Sequence, residues 1–96
     1  MYRQGDLLFI EVKEVDKQAK LSSDRVIAYG EVTGNAHTLE AGEVYKKWNT
    51  EYLVIPANGS RVVHQEHDPI TLPEGVFMVR HQREYISSDE EARVRD

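Results

Sequence analysis

The chain has 96 residues, 40% apolar and 30% charged, the balance of a soluble globular domain and not of a disordered or membrane-spanning one; its length holds one core, so residues 1–96 are read as a single domain. Twelve basic against seventeen acidic side chains give a net charge of −5, the wrong sign for general attraction to phosphate backbones, so nucleic acid is a disfavoured partner. No cysteine is present, which excludes disulfides and thiolate metal sites and leaves His, Asp and Glu as the possible metal ligands.

Gln4-Gly5-Asp6 reads as a turn, because Gly tolerates positive φ and an Asp side chain bonds nearby backbone donors. Residues 6–15 then read as a strand, with the alternating Leu8, Ile10 and Val12 on one face. Residues 16–24, poor in apolar side chains, read as an exposed loop or wide hairpin connection. A second strand spans residues 25–33 and ends in a tight turn at Gly34-Asn35, the two residue types most at ease in left-handed backbone. Residues 43–48 and 51–56 give two further strands around Asn49-Thr50, with Tyr45, Trp48, Tyr52, Leu53 and Ile55 as packing residues.

Asn58-Gly59 is the sharpest hairpin signal, since a type I′ turn needs positive φ at both central positions. It predicts that Val62-Val63 pairs back onto Leu53 to Ile55. Asp68-Pro69 and Pro73-Glu74-Gly75 bracket a short apolar segment at residues 70–72. The last long strand spans residues 76–86, with Val76 and Met78 on one face, Phe77 and Val79 on the other, and both faces at least partly buried. Ser87 to Glu91 carries capping-box spacing, predicting a short C-terminal helical tail.

About seven short strands with regular turn signals predict an all-β fold: a small antiparallel barrel, roll or sandwich. Open sheet edges make a homodimer through an edge strand plausible. No apolar run approaches the ~18 to 20 residues of a bilayer helix, and the N-terminus has no basic or apolar leader, so the expected location is cytoplasmic and no membrane partner is expected.

The densest chemistry lies at His64-Gln65-Glu66-His67-Asp68, two imidazoles and two carboxylates in five positions. On a regular strand His64 and Glu66 share a face and His67 points away, while a bend before Pro69 brings His67 back. Imidazole and carboxylate suit Zn, Fe, Mn or Ni, and a catalytic centre commonly uses about three protein ligands. His37, His64 and His67 form the candidate metal set. His67 and Glu66 are the candidate proton-transfer residues, and the bland alternative is that these histidines serve only as surface or hydrogen-bonding groups.

A second group, Arg80 to Tyr85, alternates so that His81, Arg83 and Tyr85 share a face, and Arg83 is the candidate clamp for a small polar or anionic ligand. Against this, Arg and Glu of the run could simply form cross-strand pairs. Trp48 with Tyr52 offers a competing, non-catalytic reading: an exposed aromatic surface of a protein-interaction or adaptor module.

The segments Gly30-Glu-Val-Thr-Gly34-Asn-Ala-His37, His64-Gln-Glu-His67-Asp-Pro-Ile and Gln82-Arg-Glu-Tyr85 resemble a group of small uncharacterised bacterial and phage proteins. That group carries a Gly-His-x-His turn, a His-x-Glu-His-x-Pro-Ile segment and a Gln-Arg-Glu-Tyr run. Asn35 stands where the first His of the turn is expected, and the resemblance brings no activity with it. The functional expectation is a polar pocket built from His37, His64, Glu66, His67 and Arg83, supporting metal-assisted lyase, isomerase or hydrolase chemistry on a small polar substrate.

Overall fold

The computed structural model describes residues 1–30 and 34–82. Ten strands occur among them: β1 (Tyr2–Gln4), β2 (Leu7–Val12), β3 (Lys20–Leu21), β4 (Val26–Tyr29), β5 (Ala36–Leu39), β6 (Glu43–Lys47), β7 (Thr50–Ile55), β8 (Ser60–Val63), β9 (Ile70–Leu72) and β10 (Gly75–His81). They form two antiparallel sheets, a large one in the order β1-β2-β10-β7-β6-β3 and a small one in the order β4-β5-β8-β9. All-β architecture is therefore correct, whereas a closed barrel is not. The large sheet ends at β1 and β3 and the small one at β4 and β9, so neither ladder closes on itself. The expected C-terminal helical tail, residues 31–33 of the expected second strand and residues 83–86 of the last strand lie outside the described residues.

Both sheets contribute to one core. Leu7 and Phe9 of β2, Val44 of β6, Leu53 and Ile55 of β7, and Phe77 and Val79 of β10 meet Ile27, Leu39, Val62 and Leu72 from the small sheet. Burial of these side chains is the main favourable term, at roughly 1.5–3 kcal/mol for each large one before chain entropy is subtracted. In β2 the core face is Leu7 and Phe9, one residue out of phase with the expected Leu8, Ile10 and Val12, which stay half-buried on the opposite face. Both sets are apolar, so alternation alone could not say which face looks inward.

The sequence reading does not include β1 or β5, the latter carrying His37 on a strand and not in a turn, and three connections differ from it as well. The region 16–24 contains β3, an exposed two-residue edge strand pairing Lys20 with Lys46 and Leu21 with Tyr45. The β6–β7 hairpin turns at Trp48-Asn49, one residue earlier than expected, and Trp48 takes φ 52. Trp48 is 89% exposed and so is not a packing residue.

The Asn58-Gly59 signal marks a corner between sheets. Gly59 N–H donates to Pro56 O at 2.8 Å, closing a turn over residues 56–59. Gly59 has φ 78, and a Cβ there would stand 2.9 Å from Leu72 O. β8 leaves this turn to pair with β5 and β9, not with β7, whose two sides are already taken by β6 and β10.

Candidate functional site

The site begins with a buried amide. Gln4, 3% exposed, donates from Nε2 to Val62 O and Asp68 O, both at 2.9 Å. Two carbonyl acceptors fix which end of the amide is nitrogen, so Oε1 is the end left facing His37 Nδ1 at 2.8 Å. His37 Nδ1 must then carry the proton and donate, which puts the lone pair of the neutral ring on Nε2. His37 is 4% exposed. Burial, reinforced by the neighbouring His64, pulls its pKa down to about 4 against the opposing pull of Asp6. The ring is therefore neutral at physiological pH.

His64 and His67 arrive on the connection from β8 to β9. Gln65 Oε1 accepts from Ala36 N–H at 2.8 Å, tying this connection to the start of β5, the strand that carries His37. Ring centres lie 4.4 Å apart for His37 and His64, 4.6 Å for His64 and His67, and 6.1 Å for His37 and His67. The bend toward Pro69 thus brings the three expected imidazoles together. Gly5, at φ +60 in the β1–β2 turn, lies beneath them: a Cβ there would stand 2.7 Å from His67 Nε2 and 3.4 Å from His37 Cε1. Residue 5 supplies backbone at a place where the rings leave no room for a side chain.

Glu66 contributes differently from expectation. Its side chain is exposed, and its backbone N–H donates to His64 Nδ1 at 3.0 Å. That bond needs a lone pair on His64 Nδ1, so neutral His64 carries its proton on Nε2. Among the described residues no three His, Asp or Glu side chains already form a set that could hold a metal ion. Arg83 lies outside the described residues.

On its other side His37 opens on a cleft of about 110 Å³ lined also by Asp6, Leu7, Ala28, Tyr29, Gly30 and His81. His81 Nε2 pairs with Glu51 Oε1 at 2.7 Å, and Glu51 is buried. Gln4, Gly5, Asp6 and Glu51 were not identified as site residues from the sequence. The Gln4-Gly5-Asp6 turn was legible, but its position against β5 and β8 depends on β1 and β2 folding over the small sheet.

The competing aromatic surface is only partly assembled. Trp48 is exposed at a hairpin tip with Lys47 Nζ 5.3 Å from its ring centre, while Tyr52 is half-buried in the body of β7. Among the described residues no helix is long and apolar enough to cross a membrane. No curated protein and no solved structure matches the chain. Residues 3–82, which span both sheets and all three clustered histidines, match the family described as a domain of unknown function (DUF8820), and the chain belongs to that family.

Proposed function

We propose that the His37, His64 and His67 cluster takes up a divalent transition-metal ion and that the adjoining cleft receives a small polar ligand. The observation that carries this reading is the state of His37: neutral, buried and held through Nδ1–H by Gln4, so that Nε2 offers a lone pair. Histidine ligands are commonly oriented by such an outer hydrogen bond, and they must be unprotonated to bind. A pKa of about 4 suits a ligand better than an acid–base catalyst, whose pKa should lie near the working pH.

Ring-centre spacing comes near what this assignment needs without meeting it. Three imidazoles around one ion at ~2.0–2.1 Å have ring centres about 5 Å apart, against 4.4, 4.6 and 6.1 Å here. Uptake requires ring rotation, and His64 gives up its bond from Glu66 N–H whichever nitrogen binds, since coordination through Nε2 moves the ring proton to Nδ1. The chemistry such a centre supplies is polarisation of a carbonyl or activation of water, as in lyase, isomerase or hydrolase reactions, with His67 or Glu66 as the proton carrier if it is not a ligand. Full exposure of Trp48 favours the second reading, an interaction module in which the histidines are structural.

The test is metal content by elemental mass spectrometry on protein purified without chelators and after reconstitution with Zn²⁺, Mn²⁺, Fe²⁺ or Ni²⁺. Near-stoichiometric metal that falls at least tenfold in folded His64→Ala and His37→Ala variants is the expected result. Absence of uptake with every ion, or full uptake by both variants, overturns the metal assignment and leaves the interaction module ahead.

A further inference from the structure

The outer face of the large sheet is apolar where an open sheet facing water is ordinarily polar. Leu8, Ile10 and Val12 of β2 stand beside Met78 and Val76 of β10 and Val54 of β7, in the register Met78 to Ile10, Val76 to Val12 and Val76 to Val54. All six point away from the buried Leu7, Phe9, Leu53, Phe77 and Val79 and remain half-buried. The row through Met78 continues across Tyr52 and Tyr45 to Leu21, which is 58% exposed. The apolar rows therefore run across five adjacent strands, and the core uses none of them.

Charge on this face is separated along the strands. Arg3 and Arg80 both pair with Leu8 and, with Lys47 opposite Thr50, mark one end, whereas Glu43, paired with Val54, marks the other. Arg3, Arg80 and Glu43 are exposed and Lys47 is half-buried. We propose that this face is the contact between two copies of the chain, packed sheet on sheet about a two-fold axis that runs across the strands. Such an axis sets each strand over its own counterpart with the ends exchanged, so Glu43 of one copy lies over the partner's Lys47 on β6, whereas an axis along the strands would set the two cationic ends together.

Five strands at ~4.8 Å spacing and five residues of strand length give an apolar footprint on the order of 400 Å² per copy. That is about half of the ~800 Å² per partner in a standard stable interface, which places the contact in the weak, reversible class. The contact uses faces, not edges, and is independent of the imidazole cluster.

Sedimentation velocity on the full chain, from about 10 μM to about 1 mM and with chelator present to prevent metal bridging, tests this proposal. The weight-average mass should rise toward twice the monomer value across this range. Met78→Lys, which leaves the core untouched and whose folding is checked by circular dichroism, should hold the chain monomeric throughout. Glu43→Lys should weaken association at least threefold, and adding Lys47→Glu should restore it. A wild-type chain that stays monomeric at 1 mM, or association unchanged in Met78→Lys, overturns the assignment; the latter result would indicate edge pairing.

Discussion

Lowering the pH from 7 to 5 should remove about 2 kcal/mol of stability through His37 alone. The folded pKa, about 4, lies below the ordinary value of 6.5, so between the two the unfolded chain binds the proton that the folded chain refuses. Stability from this group is therefore complete above pH 6.5 and is lost as pH falls toward 4. At 1.36 kcal/mol per pH unit, the descent from 6.5 to 5 costs about 2 kcal/mol. In urea, with a slope near 1 kcal/mol per molar for a domain of this size, the midpoint should fall by roughly 1.5–2 M.

Asp16 and Glu40 do not interfere in that window. The backbone N–H of Gln18 and the Lys47 ammonium lower the first, and the Arg61 guanidinium lowers the second, so both titrate below the usual carboxylate range. The assay is urea unfolding of chelator-treated protein at pH 7 and pH 5, for the wild-type chain and for His37→Asn. Asparagine can still donate to Gln4 Oε1 but does not titrate. His64, His67 and His81 remain in both proteins, so the difference between the two pH responses isolates His37. An equal loss in both chains would refute the reasoning.

Two further outcomes follow from the same structure. Gln4→Leu removes the donor to Val62 O and Asp68 O together with the acceptor for His37 Nδ1–H. With three polar groups left unsatisfied it should cost about 2–4 kcal/mol in chemical denaturation, and a cost below about 1 kcal/mol would show that the amide does not organise the site. Trp48→Gly relieves a left-handed backbone at a solvent-exposed hairpin tip and should stabilise the chain by about 1 kcal/mol, read by circular dichroism; lower stability would mean that the indole is packed against something.

Seven of the ten described strands were legible because β-branched and aromatic runs alternate between Gly, Pro, Asn and Asp; the short β1, β3 and β5 were not. The segment 70–72 appeared as predicted between its two prolines, and the alternation of Val76 and Met78 against Phe77 and Val79 in β10 is as read. The inward face of β2 was not legible, since Leu7 and Phe9 are no more apolar than Leu8 and Ile10. Nor was the fate of the Asn58-Gly59 turn. A turn signal states that the chain reverses, but whether the next strand pairs with the last depends on which edges are free.

Composition and spacing by themselves determined the all-β class, the absence of any cysteine-based site, and the choice of His37, His64 and His67 as a group. Only the tertiary structure decided how those rings stand. Gln4 and Gly5 are separated from His37 by more than thirty positions and from His67 by more than sixty. They reach the cluster because the β1–β2 hairpin belongs to one sheet while β5 and the β8–β9 connection belong to the other. The tautomer of His37, its low proton affinity and the space beneath His67 come from packing between the sheets. Local sequence carries hydrophobic period and turn chemistry; it does not carry the distance between residues that meet only when two sheets close on one core.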